Sequence, residues 1–353
     1  MSQLIGLKQA YESALLNLED RINGTVKPVS TGWPSLDKTY LKGIEPGWIV
    51  SIAGSSGTGK TAFINQMIMQ MLNANPKSIA VLFFTFEMSA KRLMHRMISN
   101  HHSFDLKQLL GVSEEYNISQ EDIEYLRKNP PINLDYYIAF EEKPRRIEDM
   151  EIVVHDFRRK LVAQGKITID QPVIVAVDHL LLSEKTKLEA SDEKLLENTM
   201  AMENRMKKED PNLIFINLSQ LNREMDSIDR VDKAARHFPI KSDIFGSDKV
   251  YHYSDVVGIL DNPFNRGIKF EYGRDKWETF GVDTVTHEKV PIVYMHNIKV
   301  RDWTPGTAVP FYYRGKHFRF SEQLNEGAVI EPQKLEYDFE VPIIREEQEE
   351  YDF

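Results

Sequence analysis

Residues 54–61 read Gly54-Ser55-Ser56-Gly57-Thr58-Gly59-Lys60-Thr61 and match the phosphate-loop pattern G-x-x-x-x-G-K-[ST] in full. An apolar run at 48–53 precedes them and a helical pattern at 62–67 follows, which argues against a chance glycine-rich turn. Three glycines let successive backbone N–H groups face a polyphosphate, and the following helix N-terminus attracts negative charge. We expect all eight residues to hold a nucleoside triphosphate, with Lys60 at the β- and γ-phosphates and Thr61 on Mg²⁺.

Composition limits the classes of protein that need to be considered. The 353 residues, 41% of them hydrophobic, provide core for one large or two modest domains. Cysteine is absent, which excludes disulfides and thiolate metal sites and suits a reducing compartment. No membrane-length apolar run or secretory signal is visible, so a cytoplasmic location is expected. The net charge of −10 argues against a uniformly basic nucleic-acid surface but allows a local cationic channel.

The N-terminal segment predicts an amphipathic helix over residues 3–22. Its apolar residues recur at three- and four-residue spacing, namely Leu4, Leu7, Ala10, Tyr11, Ala14, Leu15, Leu18 and Ile22. Asn23-Gly24 marks its end, and residues 24–34 read as a linker. The apolar stripe needs a partner surface, either on its own domain or on a neighbouring subunit.

From residue 47 to about 320, apolar β-branched runs alternate with helical patterns. The predicted strands are Ile49–Ala53, Ile79–Thr85, Val173–Val177, Leu213–Leu218 and Val256–Leu260, and the predicted helices lie near 61–74, 89–100, 146–164 and 192–208. This alternation predicts an α/β fold, a mainly parallel sheet flanked by helices, with strands buried on both faces. Ligands of such sheets bind at the carboxyl ends of the strands.

Three polar residues follow predicted strands. Glu87 is placed to polarise the attacking water, although an acidic residue at a helix entry is an alternative. Asp178 caps an apolar run and suits a Mg²⁺-side carboxylate, the alternative being an ordinary surface aspartate. Gln220 is expected beside both carboxylates, where an amide could sense the γ-phosphate.

Residues 222–254 are predicted to form a basic loop within an acidic chain. It contains the cations and aromatic residues Arg223, Arg230, Lys233, Arg236, His237, Lys241, Lys249, Phe238, Phe245 and Tyr251. Cations, backbone N–H groups and aromatic rings can follow a single nucleic-acid strand without reading its sequence. An ordinary solvated loop is the alternative, because acidic residues such as Glu224, Asp226, Asp229, Asp232 and Asp243 dilute the charge.

The motifs together resemble a known family. In order they are GSSGTGKT, FFTFEMS, VIVAVDHLLL, LIFINLSQLNRE, SDIFGSDKVYHYSD and IKVRDWTPG, and STGWPSLDKTYLKGIEPGWIVSIAG leads into the first. This series resembles the RecA-like motor domain of DnaB-type replicative helicases, from about residue 28 to 320. The resemblance implies a RecA-like P-loop NTPase core preceded by an N-terminal linker helix.

The resemblance also implies a function. It implies a ring, usually of six subunits, that hydrolyses ATP at subunit interfaces and moves 5′ to 3′ on single-stranded DNA. Lys60 and Thr61 would bind ATP and Mg²⁺, Glu87 would be the catalytic base, Asp178 the metal-side acid and Gln220 the coupling residue. Lys299 and Arg301 fall where the family places cations that reach the neighbour's ATP; from the pattern alone they are a solvated strand end.

Several features depart from the family. Only one helix precedes the motor, so we expect a linker helix at 1–30, a motor domain at 31–325 and an acidic tail at 326–353. Phe245 and Gly246 replace a common Arg-Glu pair that faces DNA. Contact with DNA would then depend on Arg223, Lys241, Phe245, Gly246, Ser247 and Lys249. The connection at 262–291 is longer than usual, and its pattern indicates no role.

The C-terminal residues 345–353 are acidic and end in Tyr351-Asp352-Phe353. Like charges and low hydrophobicity predict a disordered, solubilising tail. The alternative is a docking peptide for a partner such as primase, polymerase or a helicase loader.

The sequence therefore predicts an ATP- and Mg²⁺-dependent replicative helicase, and its small size favours a phage origin and action in the bacterial host cytoplasm. The alternative is a RecA-like recombination or regulatory ATPase that assembles on DNA or protein without unwinding. A nucleotide kinase is disfavoured, because no lid or second substrate pocket is recognisable.

Overall fold

The computed structural model describes residues 4–113, 117–186 and 191–324, with the backbone of residues 333–334. The predicted tail, including the candidate docking peptide 345–353, lies outside these residues. None of the described helices combines the length and apolar character needed to cross a membrane.

One large sheet organises the chain. The strands are β1 Ile49–Gly54, β2 Ala80–Thr85, β3 Tyr137–Glu141, β4 Val173–Asp178, β5 Leu213–Gln220, β6 Val256–Asp261, β7 Glu271–Tyr272, β8 Trp277–Glu278, β9 Phe280–Val282, β10 Lys289–Val300, β11 Thr307–Arg314, β12 Arg319–Ser321 and β13 Gln333–Lys334. The sheet order is β12-β11-β10-β6-β1-β5-β4-β2-β3. Strands β6 to β3 in this order are parallel, whereas β10, β11 and β12 extend the sheet antiparallel.

Helices cover both faces of the sheet. They are α1 Leu7–Ile22, α2 Pro34–Thr39, α3 Lys60–Ala74, α4 Ala90–His102, α5 Leu106–Leu110, α6 Gln120–Lys128, α7 Ile147–Ala163, α8 Asp192–Glu209, α9 Ile228–Asp232 and α10 Ser247–Tyr253. Val50 and Ile52 pack in the core with α3, while Ile49 and Ala53 pack on the opposite face with α7 and α8. Because successive strand residues point to opposite faces, two covered faces require continuous apolar strands. The predicted α/β fold is confirmed.

Some elements were not predicted. Strand β3 is half-exposed throughout and lies at the edge of the sheet, so it lacks the apolar run that marks the buried strands. The predicted linker 24–34 is wrong for its second half, because Val29 and Trp33 are buried in the core. Residues 222–254 contain short helices, including α9 and α10, rather than one irregular loop.

Helix α1, described in full, has no buried residue. Leu7, Leu18 and Ile22 are 88%, 56% and 85% exposed. An ion pair between Arg21 and the buried carboxylate of Glu45, at 2.6 Å, ties the helix end to the domain. Of the two surfaces considered for the apolar stripe, the described part of its own domain does not cover it.

Helix α8 buries a carboxyl group under the sheet. The Asn217 amide donates to Glu203 Oε2 at 2.6 Å, while Glu203 Oε1 has no hydrogen-bond partner among the described residues. Burial raises the pKa of Glu203 to about 8, against a smaller opposing effect of Lys207. The folded protein therefore keeps this proton at neutral pH, where the unfolded chain has lost it.

This protonation predicts a stability that falls as pH rises. From the ordinary glutamate pKa to about 8, only the unfolded state releases the proton, so the free energy of unfolding decreases by roughly 3–5 kcal/mol. Glu203→Gln should remove most of this decrease and be more stable than the unaltered chain at pH 9. Denaturant unfolding between pH 5 and 9 measures it. The exposed Glu209→Gln on the same helix should keep the full pH dependence; an unchanged slope in Glu203→Gln would contradict the prediction.

Candidate functional site

The carboxyl ends of four parallel strands meet at one edge of the sheet. Gly54 at the end of β1 pairs with Gln220 at the end of β5, and Thr85 at the end of β2 pairs with Asp178 at the end of β4. Glu87 follows β2 by two residues. The structure therefore brings together the phosphate loop and the three polar residues predicted from strand ends.

The phosphate loop has the backbone that its glycines permit. Gly59 has φ +92°, and a Cβ there would lie 3.0 Å from the Phe320 ring and 3.2 Å from the Tyr313 ring, so a larger residue would be strained and crowded. Thr58 is buried, and its hydroxyl donates to Ser55 O at 2.9 Å. Thr58 shapes the loop from inside, while its neighbours Gly57 and Gly59 line the cavity.

Lys60 is held within the loop. Its Nζ donates to Gly54 O at 2.6 Å and to Ser55 O at 2.9 Å. Burial lowers the pKa of Lys60, while Asp178 and Glu87 raise it. The ammonium group thus lies among the loop carbonyls, close enough to both carboxylates to feel their charge.

The residues present fit a magnesium ion. The Thr61 side chain lies close enough to Asp178 to lower the pKa of its carboxyl group, whose Oδ2 is buried without a hydrogen-bond partner among the described residues. Burial raises the pKa of Asp178 to about 6, and Glu87 adds to this effect. A hydroxyl and a carboxylate are oxygen ligands of the kind that Mg²⁺ uses together with water and phosphate.

A cavity of about 750 Å³ lies over the loop. Glu87, Asp178 and Gln220 line it together with Lys60 and Thr61. Glu87 is exposed and precedes Ser89, the N-cap of α4, so it is not a residue of the helix's first turn. The alternative of a simple helix-entry acid is therefore not favoured by its position.

His179 orients the amide of Gln220. The Leu181 N–H donates to His179 Nδ1 at 3.2 Å, and His179 Nε2 lies 2.5 Å from the Gln220 amide. Burial lowers the pKa of His179, so the ring is neutral and carries its hydrogen on Nε2. The Gln220 atom at this distance is assigned as Nε2, which would place two donors together; exchanging the amide oxygen and nitrogen resolves this and turns the NH₂ group towards the cavity.

Several residues that line this cavity were not predicted from the sequence, and three of them bring new chemistry to it. Arg96 of α4, Tyr313 of β11 and Phe318 line the same cavity. The Arg96 guanidinium lies 4.7 Å from the centre of the Phe318 ring, within electrostatic range of Asp178 and Glu87. Arg96 lies on the helix that begins just after Glu87, so its place near Glu87 could have been predicted from the sequence. Tyr313 and Phe318 are far away in the sequence and carry no local pattern that predicts this contact.

Lys299 and Arg301 lie at the other end of the parallel strands, away from the phosphate loop. Arg301 NH1 lies 3.0 Å from Asp255 Oδ1, and Asp255 Oδ2 accepts the N–H of Ile49, the first residue of β1. Strand β1 separates this point from Gly54 by about 17 Å. Lys299 donates to Tyr251 O at 2.5 Å, and burial lowers its pKa. Neither cation can reach its own subunit's phosphate loop.

The cations of residues 222–254 are largely paired within the protein. Arg230 is buried and binds Asp243 through its two terminal guanidinium nitrogens, at 2.9 and 2.8 Å. The other ion pairs are Lys233 and Arg236 with Asp229, Lys241 with Asp248, and Lys249 with Glu197. The prediction of a basic loop is therefore wrong, because carboxylates of the same protein neutralise most of its cations.

The predicted DNA-binding residues separate into two places. Arg223 lines the cavity over the phosphate loop, whereas Phe245, Gly246, Ser247 and Lys249 line a second cavity of about 510 Å³. Lys241 lies beside this cavity's Asp248, at 2.8 Å, and lines neither cavity. The charged residues of the second cavity are Glu193, Glu197, Asp248, Lys194 and Lys249, so it is not basic.

The structure explains the glycine at position 246. Gly246 has φ +63°, and a Cβ there would lie 2.5 Å from Leu196 Cδ2, so any larger residue would be strained and would displace Leu196. Its neighbours are tied to the nucleotide site. Phe245 N donates to Gln220 O at 3.0 Å, and Asn222, whose N–H donates to Asp243 O at 2.6 Å, lines both cavities.

Comparisons with known proteins agree with this site. A family model described as DnaB-like helicase C terminal domain matches residues 28–278. A probable replicative DNA helicase of Guillardia theta is 30% identical over 68% of this chain and 37% of its own length. The replicative DNA helicase DnaB of Helicobacter pylori is 28% identical over 72% of this chain and 48% of its own. The chain thus spans less than half the length of these curated relatives.

Solved structures show the same fold. One solved ATPase domain has a TM-score of 0.68 at 20% identity, and the match covers 88% of this chain and 97% of that domain. A DnaB-like replicative helicase, solved with a description of its interactions with primase, has a TM-score of 0.67 at 20% identity, and the match covers 89% and 68% of the two chains. Because the family model matches well over half of the residues, the chain belongs to the DnaB-like helicase C-terminal domain family.

Proposed function

We propose that this chain is the motor of an ATP-dependent replicative DNA helicase, a ring of six subunits that translocates on single-stranded DNA and unwinds duplex. The observation that carries the proposal is the single cavity shared by the phosphate loop, the Thr61 and Asp178 pair, Glu87 and Gln220. Membership of the family supports it. The tests therefore concern hydrolysis, assembly and strand separation separately.

In this proposal ATP lies along the cavity. Its phosphates contact the backbone N–H groups of residues 55–61 and the Lys60 ammonium, at the N-terminus of α3. Its base packs against the aromatic side of the cavity formed by Tyr313 and Phe318. Arg96 adds a second cation on the same side, which suits a polyanionic ligand.

Hydrolysis follows from the residues at the strand ends. Mg²⁺, held through Thr61 and Asp178, would neutralise charge on the phosphates. Glu87, as a carboxylate in the cavity, would accept a hydrogen bond from the attacking water and then its proton. The Gln220 NH₂ group would donate to the γ-phosphate, so its position would report whether that phosphate is present.

Arg301 supports hydrolysis between subunits. Its place beside Ile49, at the far end of β1 from the loop, excludes contact with its own ATP and suits contact with a neighbour's. An arginine supplied in this way stabilises transition-state charge and is typically worth about 10³–10⁵ in rate. Lys299, two residues before it, would approach the same phosphates.

Coupling to DNA is proposed to pass through the segment after β5. Gln220 and Asn222 hydrogen-bond the backbone of residues 243–245, next to the second cavity. Because this cavity is not basic, we propose that backbone N–H groups and Phe245 stacking contact the strand more than Lys249 does. Affinity for single strands should then depend less on salt than a cationic groove would.

Helix α1 is proposed to dock on the neighbouring subunit, which predicts a defect in assembly. Leu18→Glu with Ile22→Glu places two charges on the apolar stripe and should shift the ring towards monomers, because burying each side chain contributes roughly 1.5–3 kcal/mol. Sedimentation velocity with an ATP analogue measures this. Gln9→Glu with Ser13→Glu, on the opposite side of α1, is the control. Rings of unchanged size in the stripe variant would contradict the docking.

The main test is unwinding of a forked duplex with ATP and Mg²⁺. We expect strand separation that requires a single-stranded arm of one polarity, and none with Lys60→Ala. ATP hydrolysis stimulated by single strands, without strand separation under any loading condition, would favour the recombination or regulatory ATPase instead. Electron microscopy with a non-hydrolysable analogue and a fork tests ring number, and added primase, polymerase or loader tests partners.

A further inference from the structure

The long connection between β6 and β10 lies against the segment that follows Gln220. We call residues 262–288 the insert. Its Tyr272 and Trp277 form an aromatic cluster with Phe238 of that segment, at centroid distances of 4.9 and 4.7 Å. The same cluster includes apolar residues of β10 and β11. The insert therefore packs between the segment after Gln220 and the antiparallel strands β10 and β11.

A close backbone contact lies at the centre of this cluster. The Gly273 N–H donates to His237 Nδ1 at 3.0 Å, and His237 Nε2 donates to Val231 O at 2.8 Å. A Cβ on Gly273 would lie 2.2 Å from the Phe238 ring, so only glycine allows this approach. Both ring nitrogens of His237 are thus used to hold the segment to the insert.

Arg266 of the insert connects two points of the segment after Gln220, namely Met225 and His237. Its NH1 donates to His237 O at 3.1 Å and its NH2 to Met225 O at 2.9 Å, twelve residues apart. NH1 also binds the Asp261 carboxylate at the end of β6, at 2.7 Å. The side chain is 3% exposed. Its planar fork is what allows three acceptors on separate elements to be satisfied at once.

The turn that contains Met225 forms part of the wall of the nucleotide cavity. Met225 lies in the short turn Arg223–Asp226, and both terminal residues of this turn line the cavity. Arg266 Nε also lies 3.9 Å from the Asp226 carboxylate. Arg266 therefore contacts the cavity wall from behind, through one carbonyl and one carboxylate, without lining the cavity itself.

We propose that Arg266 is a positioning residue for ATP hydrolysis, and that the insert is a brace that holds the turn Arg223–Asp226 against the nucleotide. The inference rests on the proposed function. Fixing the turn fixes the exit of the chain from Gln220, since Asn222 lies between them. The same arginine binds His237 O, so one side chain holds both this turn and the middle of the segment after Gln220.

The test compares Arg266→Lys with two variants of the insert. Lysine keeps the charge near Asp261 but cannot reach both carbonyls in the geometry of the fork. Tyr272→Phe removes a buried hydrogen bond to the same Asp261, at 2.6 Å, and leaves the Arg266 contacts with the segment in place. Lys276→Gln removes only an exposed ion pair with Glu271.

We expect Arg266→Lys to lower kcat for ATP with single-stranded DNA by roughly ten- to a hundredfold, with KM within about twofold. Hydrogen exchange should rise at residues 223–238 and stay unchanged at β3. Tyr272→Phe and Lys276→Gln should keep kcat and this exchange pattern, whatever their melting temperatures.

Three results would overturn the inference. The first is a kcat of Arg266→Lys equal to that of Tyr272→Phe, and the second is unchanged exchange at residues 223–238. A parallel loss of ATP binding, kcat and melting temperature in all three variants would also overturn it, because it indicates general destabilisation. Lack of hydrolysis by the unaltered chain would instead refute the proposed function, and the exchange experiment would still decide whether the brace exists.

Discussion

Replacing Arg301 by alanine should lower kcat for ATP by about 10³–10⁵-fold while ATP affinity stays within about threefold. The guanidinium lies at the far end of β1 from its own phosphate loop, so its loss leaves the subunit's own cavity intact. Its ion pair with Asp255 is half-exposed, and Asp255 keeps Lys207 and the Ile49 N–H as partners. The fold should therefore survive, because the buried Asp255 carboxylate is not left without a partner.

Mixing two inactive variants tests the origin of the arginine. Lys60→Ala subunits retain Arg301, and Arg301→Ala subunits retain the phosphate loop. In randomly mixed rings about a quarter of the interfaces combine both intact parts, so ATPase activity should return to roughly that fraction. Steady-state ATP hydrolysis after subunit exchange measures this recovery. The control is Arg159→Ala, which removes an exposed arginine of α7. No recovery on mixing, or normal turnover by Arg301→Ala alone, would refute the intersubunit assignment.

The parts of the site that were predictable share a local signal. The phosphate loop lies between its strand and helix, and Glu87, Asp178 and Gln220 follow apolar runs that the structure confirms as strands. In a parallel sheet, strand ends converge at one edge whatever the order of the strands. Their convergence could thus be predicted without knowing which strands are neighbours.

The rest of the site depends on pairings that leave no local pattern. Tyr313 reaches the cavity because β11 continues the sheet antiparallel and brings its end to the loop. Arg230 looks like a DNA-binding cation in sequence, yet it lies buried against Asp243 thirteen residues later. The contacts of Arg266 with Met225 and His237 are likewise fixed only by the tertiary fold. Charge in the sequence does not distinguish a cation that binds a ligand from one that holds a turn.

Glu87→Gln should bind ATP yet lower kcat by roughly 10²–10⁴-fold, the usual contribution of a general base. The amide has the same shape but cannot take the proton of the attacking water. Loss of a negative charge beside the γ-phosphate should also keep ATP affinity equal or raise it, because like charges repel across the cavity. Single-turnover hydrolysis combined with binding of a fluorescent ATP analogue separates the two effects.

The control lies at the same edge of the sheet. Glu142 follows β3, the neighbour of β2, and its carboxylate accepts the Ala90 N–H at 2.9 Å without lining the cavity. Glu142→Gln keeps an acceptor for that bond and should change kcat little. If both variants lose activity equally, the loss reflects the start of α4 rather than proton transfer. If Glu87→Gln turns over normally, the base must be another group of the cavity, and the assignment of Glu87 is wrong.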